Sequence, residues 1–249
     1  SLWIFNLWLR PRFRPSLRAL ALLLVGLHPW YWDYKDQVLS DMPFVLFCLL
    51  TFLLFDRQLR NEGKVDHPTN GWLIGLTVSA AIATRSVGVI LWAALLLDGL
   101  LHRRWRKRWF WPAALLPAVV LVVLNLLLPS TGDYLSQTRG WDWNILQQNL
   151  IAMLSMIQDV WRSDILPLGT ISLIALVGSV LFLTGFGSRL KQIRLEEWFF
   201  LGTLAMILVW PQPQGFRFYL PIYFLFIFYV LEGWRQIQLL LGGLSSGLL

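Results

Sequence analysis

Gln37–Arg57, QVLSDMPFVLFCLLTFLLFDR, holds an apolar run long enough to cross a bilayer, and it opens with Ser40, Asp41 and Pro43. A hydrocarbon core about 30 Å thick needs roughly 20 consecutive apolar residues of helix. The run after Pro43 meets that need, so the chain is read as membrane-spanning. A carboxylate where such a helix enters hydrocarbon is costly and points to function by default. The plain alternative is a helix cap, with Ser40 or Asp41 at the N-terminus and Pro43 in the first turn.

The rest of the chain agrees with this stretch. Of 249 residues, 57% are hydrophobic and only 14% charged, too little charge for an ordinary soluble domain. Apolar runs recur at about 17–29, 38–55, 71–84, 86–101, 111–129, 165–186, 196–210 and 217–233. The expected fold is therefore all-α: one polytopic membrane domain over 1–249 with about eight transmembrane helices. Cys48 is the single cysteine and lies in mid-span, so no internal disulfide is possible. The opening SLWIFNLWL reads as the end of a hydrophobic helix already under way, so upstream helices and a first outer loop are expected in the natural protein.

Charge sets the orientation. Sixteen of the 21 basic residues fall in Arg10–Arg18, Arg57–Lys64, Arg103–Arg108, Arg189–Arg194 and Arg235. Basic loops collect on the cytoplasmic side, and eight spans place all five segments there. Joining 71–84 to 86–101 would make a helix of about 46 Å and separate the two most basic loops, so a hairpin turning at Arg85 is expected. The net charge of +7 is thus an orientation signal, and nucleic acid is not an expected partner. HRRWRKRW (102–109), which contains the third segment, reads the same way, with contact to anionic lipid as a lesser reading.

The opposite face keeps Lys35, Arg85, Arg139, Arg162 and Arg217, with Asp33, Asp36, Asp41, Asp133, Asp142, Asp159 and Asp164. Its long loop, 130–164, contains apolar residues at Trp143, Leu146, Leu150, Met153, Ile157 and Trp161, in steps of three and four. That spacing predicts an amphipathic helix lying in the outer interface, with Trp141, Trp143 and Trp161 at headgroup level.

Three places on this face carry candidate chemistry. Asp33, Asp36 and Asp41 crowd together with Lys35, His28, Tyr31 and Tyr34. Such carboxylates serve as a general base or hold a divalent cation through oxygen, although their spacing matches no metal motif. Arg85 lies between apolar runs in a turn of small residues, where it either snorkels to the interface or meets an anion. Arg217 follows Pro211, Pro213 and Gly215 and lies between aromatics. Irregular backbone at membrane depth is tolerated where it lines a cavity. His28, His67 and His102 lie too far apart for a zinc site, and Gly71 and Gly75 form a GxxxG suited to close helix packing.

VLSDMPFVLFCLLTFLLFDRQLR (38–60), ATRSVGVILWAALLLDGLLHRRWRKR (83–108) and FRFYLPIYFLFIFYVLEG (216–233) together resemble segments of the GT-C superfamily of polytopic membrane glycosyltransferases, in the same order. The nearest branch is the protein mannosyltransferase and aminoarabinose transferase group. The resemblance implies an array of membrane helices around an outward cavity. It also implies transfer of a sugar from a polyprenyl-phosphate donor to an acceptor hydroxyl on a lipid, glycan or protein. Asp41, with Asp33 and Asp36, would then lie at the reacting centre. Arg85, Arg217 and Lys35 would meet the donor phosphate, and His28, Tyr34 and Tyr219 would line the cavity near the acceptor. The family's principal acid, in the first large outer loop, has no match here. A bacterial inner membrane is the favoured location, with the ER membrane as an alternative. A transporter or flippase for a lipid-linked anion would also use outer arginines and acids, though neither a repeat nor mid-span charges are visible. A structural membrane subunit would make the charges incidental.

Overall fold

The computed structural model of the protein describes residues 1–29, 31–32, 40–61, 68–127, 142–159, 168–211 and 215–246. Among these residues it is all-helical, with ten α-helices and no strand. They are α1 (Leu2–Leu9), α2 (Pro15–Gly26), α3 (Asp41–Asn61), α4 (Pro68–Thr84), α5 (Gly88–Leu101), α6 (Phe110–Leu127), α7 (Trp143–Asp159), α8 (Leu168–Arg189), α9 (Leu195–Val209) and α10 (Leu220–Ser246).

Each of the eight expected spans has a helix. Four described segments are long and apolar enough to cross a membrane: Asp41–Asn61, Phe110–Leu127, Ser172–Gln192 and Leu220–Leu241. The remaining helices are shorter, so by length and composition four of the expected eight are candidate crossings. Only 22% of the Phe110–Leu127 window and 17% of the Ser172–Gln192 window is buried within the protein. Val119, Val122, Leu126, Leu173, Leu176 and Leu183 turn outward instead. A helix apolar on all sides with its outer face uncovered is built for lipid.

The hairpin expected at Arg85 is present. The amide of Gly88 donates to the Arg85 carbonyl at 2.8 Å, and that of Val89 donates to Ser86 at 3.1 Å, closing a short turn between α4 and α5. Small residues let neighbouring helices touch through their backbones. A Cβ on Gly75 would stand 2.7 Å from the Pro112 carbonyl oxygen, and one on Gly71 would collide with the Trp109 carbonyl, so α4 and α6 pack at close range. Gly185 and Gly233 do the same for α8 and α10, each facing backbone of the other helix.

The core lies where α1, α3, α9 and α10 meet, and aromatic rings fill it. Trp8 lies 4.9 Å from Phe228, Phe5 is edge-on to Phe224 at 5.1 Å, and Phe52 meets Phe199 at 5.7 Å. These are ordinary aromatic-pair separations. Two polar tethers fix the periphery: Tyr223 donates its hydroxyl to the Leu24 carbonyl at 3.1 Å, and Trp92 donates to Ala114 at 2.9 Å.

The basic loop 103–108 is less solvated than a pure orientation signal requires. Arg104 turns inward and donates Nε to Asp98 Oδ2 at 2.5 Å, and its guanidinium lies 5.3 Å from the Phe55 ring. His102 Nδ1 stands 3.2 Å from the other Asp98 oxygen. The α5–α6 connection is therefore pinned to a buried carboxylate.

The helix expected in the long loop is α7, and only part of its apolar stripe is covered by the protein. Leu146 and Met153 are partly covered, whereas Trp143 (75% exposed) and Leu150 point outward. Asn149 centres the inward face. Its side-chain amide donates to the Leu208 carbonyl at 3.0 Å and the Trp210 carbonyl at 2.6 Å, satisfying carbonyls at the C-terminus of α9. Asp142 caps α7 by accepting the Ile145 amide at 2.9 Å. Of the three tryptophans expected at headgroup level, Trp141 and Trp161 lie outside the described residues.

Candidate functional site

Asp41 occupies the first turn of α3, where the partial positive charge of the helix N-terminus favours a carboxylate. Its side chain is fully buried. Arg217 donates Nε to Asp41 Oδ2 at 2.8 Å, across 176 residues of sequence. Arg85 pairs through Nη1 with the other oxygen, Oδ1. The three residues singled out separately in the sequence thus converge at one end of the bundle. Each arrives by its own device: the start of a helix, the tight turn between α4 and α5, and the short 3-10 turn Gly215–Phe218 that precedes α10.

Beside this triad lies a polar cleft of about 340 Å³, lined by Ser40, Thr84, Arg85, Ser86, Trp210 and Arg217 among others. Among the described residues, two positive charges against one buried negative charge leave the lining net positive. Asp41 itself has no exposed surface, and both its oxygens face arginine. In this arrangement it fixes where the two guanidiniums stand and does not face the cleft.

A second cavity, about 210 Å³ and almost wholly apolar, opens among α7, α8, α9 and α10. Met153, Leu183, Phe200, Leu204, Phe216 and Tyr219 contribute to its wall. The two spaces share a partition. Along residues 216–219, Phe216 and Tyr219 face the apolar cavity, while Arg217 and Phe218 face the polar cleft.

The other candidates are distributed as follows. Tyr219 lines the apolar cavity rather than the charged cleft. His28 is buried in the aromatic packing beneath the partition, stacked on Phe216 at 5.2 Å and 4.9 Å from Tyr223. It lines neither space. Asp33, Tyr34, Lys35 and Asp36 lie outside the described residues, as do Asp133, Arg139, Arg162 and Asp164. Among the described residues no group of three His, Cys, Asp or Glu side chains comes together in a way that could hold a metal ion.

The sequence reading overlooked the far end of the bundle. Asp56, Glu196, Glu197 and Glu232 are all buried there, paired with arginines of the basic segments. Glu196–Glu197 and Glu232 sit within or beside apolar runs, and that was the available signal. Counting only basic residues for orientation passed over it.

Against known families, curated proteins and solved structures, the chain matches none.

Proposed function

We propose that this chain belongs to a membrane glycosyltransferase of the GT-C type, which moves a sugar from a polyprenyl-phosphate donor to an acceptor hydroxyl at the Asp41 end of the bundle. The observation that carries the reading is the partition at residues 216–219, with a net-positive cleft on one side and an apolar cavity on the other. An amphiphile with a phosphate head and an isoprenoid chain needs those two environments next to each other. Arg85 and Arg217 supply the planar, permanently charged groups that suit phosphate.

In this reading the eight apolar segments cross the membrane, with the short ones tilted or supported by their neighbours. The five basic segments face the cytoplasm, and α7 lies in the outer interface with its exposed apolar side in lipid. The favoured setting is a bacterial inner membrane.

The chemistry is a displacement at the anomeric carbon. The acceptor hydroxyl forms the new C–O bond, and the bond between that carbon and the phosphate oxygen breaks, its electron pair leaving with the polyprenyl phosphate. Negative charge grows on the departing oxygen, where two fixed guanidiniums stabilise it. One such preorganised donor is typically worth about 3 kcal/mol. The hydroxyl proton goes to a carboxylate. Asp33 and Asp36 are the candidates by position in sequence, since Asp41 is occupied with the arginines.

The test is transfer in membranes holding the natural protein, with undecaprenyl-phosphate mannose and undecaprenyl-phosphate aminoarabinose as donors. Arg217→Gln should raise the donor KM by about tenfold, the worth of one charged hydrogen bond, and leave the acceptor KM unchanged. No transfer from either donor, or equal effects on both KM values, would refute the reading.

A further inference from the structure

We propose that the end of the bundle opposite Asp41 binds a phosphate group in a second, arginine-lined cleft. This site is separate from the donor site and does not depend on the transferase reading. Arg12, Arg60, Arg189, Arg194 and Arg235 line a space of about 370 Å³, with Asp56 and Glu232 as its carboxylates. That volume falls within the roughly 300–1,000 Å³ of small-molecule sites.

Basic residues that serve only to orient a membrane protein sit in solvated loops and repel one another. Here five arginines from five separate segments converge instead: the α1–α2 connection, α3, the end of α8, the α8–α9 connection, and α10. Buried carboxylates hold the inner two in place. Arg12 pairs with Asp56, reaches Glu196 at 3.3 Å and donates to the Trp8 carbonyl at 2.7 Å. Arg189 donates Nε to Glu197 at 2.9 Å. Glu197 is itself fixed by the Arg194 amide at 2.8 Å and the Tyr229 hydroxyl at 3.3 Å. Both guanidiniums stand near the Phe228 ring, that of Arg12 at 5.7 Å and that of Arg189 at 5.8 Å from its centroid.

One atom in this arrangement points to a ligand. Arg189 Nη2 is buried and has no hydrogen-bond partner among the described residues. A buried donor on a charged group is expensive to leave unmade, and since the Arg189 side chain is 20% exposed and lines the cleft, a small turn of its guanidinium brings this donor to an anionic oxygen there. At the rim, Arg60 and Arg235 are exposed and line the same cleft. Arg235 is held by Glu232 at 2.5 Å. A planar guanidinium set of this kind suits a tetrahedral phosphate. Such a phosphate comes either from an anionic lipid headgroup in the adjoining leaflet or from a soluble phosphate ester.

The experiment uses the full chain in phosphatidylcholine nanodiscs, with phosphatidylglycerol and inorganic phosphate as separate probes. Native mass spectrometry reads retained lipid, and calorimetry reads phosphate. Retention of phosphatidylglycerol alone supports the lipid source, and saturable binding of inorganic phosphate supports the soluble source. In either case the pair Arg60→Gln/Arg235→Gln should weaken binding by about tenfold or more, while Arg60→Gln alone, whose arginine is exposed, should weaken it with little change in unfolding temperature. Arg189→Lys keeps the charge that Glu197 needs but loses the second donor of the fork, and should also weaken binding. Binding of neither probe, or unchanged binding in these variants, would overturn the proposal.

Discussion

Replacing Asp41 with asparagine probes the triad most sharply. Asp41 is fully buried, the Arg85 side chain is 11% exposed, and that of Arg217 is 31% exposed. Asparagine keeps the shape but removes the negative charge that Arg85 and Arg217 share, and it turns an amide NH₂ toward one guanidinium, donor against donor. Removing one partner of a buried ion pair costs about 3–5 kcal/mol, and Asp41 serves two partners. Arg85→Gln leaves Asp41 one arginine and should cost about 2–3 kcal/mol by the same reasoning. Arg217 is partly screened by solvent, so Arg217→Gln should cost about 1 kcal/mol. The expected order of destabilisation is therefore Asp41→Asn, then Arg85→Gln, then Arg217→Gln. For a domain of this size, Asp41→Asn should lower the unfolding temperature by on the order of 10 °C, measured in detergent micelles at fixed lipid content. In the double variant Asp41→Asn/Arg85→Gln the two costs should fall short of additive by about 1–3 kcal/mol, the signature of a direct contact. Additive costs, or an Asp41→Asn protein as stable as wild type, would refute the buried triad.

Two further outcomes follow from the packing. Gly233→Ala places a Cβ against the Leu181 carbonyl. It should force α8 and α10 apart at a cost of about 1–3 kcal/mol, whereas Ala at Gly187, where a Cβ meets nothing, should be nearly silent in the same unfolding assay. Arg12→Ala strands Asp56 and Glu196 without their shared cation. It should destabilise by about 3–5 kcal/mol and be partly rescued by adding Asp56→Asn; absence of rescue would count against the shared pairing.

Which parts of this structure could be read from sequence follows from the range of the signal. Apolar runs located the helices because burial in lipid acts on each segment alone, and charge placed the turn at Arg85 because the penalty for misplacing a basic loop is local to that loop. Single residues out of keeping with their surroundings, Asp41, Arg85 and Arg217, marked the candidate site. That they meet in one triad could not be read, since 176 residues separate Asp41 from Arg217 and only tertiary packing joins them. The same limit hid the far cluster: an acid beside an apolar run reads as a boundary until a partner helix is known to cover it. Hydrophobic spacing located α7 but not its docking contact, because that contact is made by Asn149, a polar residue that an apolar stripe does not mark. Length separates the spans: the 15 residues of α9 are fewer than a bilayer needs by themselves, so length and composition mark four segments as candidate crossings and leave the shorter ones to packing.

The most direct test of the central claim is a comparison of two ligands that differ only at the head. The protein in nanodiscs is offered undecaprenyl phosphate and undecaprenol at equal concentration, and native mass spectrometry reads which is retained. The account predicts retention of the phosphate and not the alcohol, lost by about tenfold in Arg217→Gln. Equal retention of the two, or retention of neither, would contradict it.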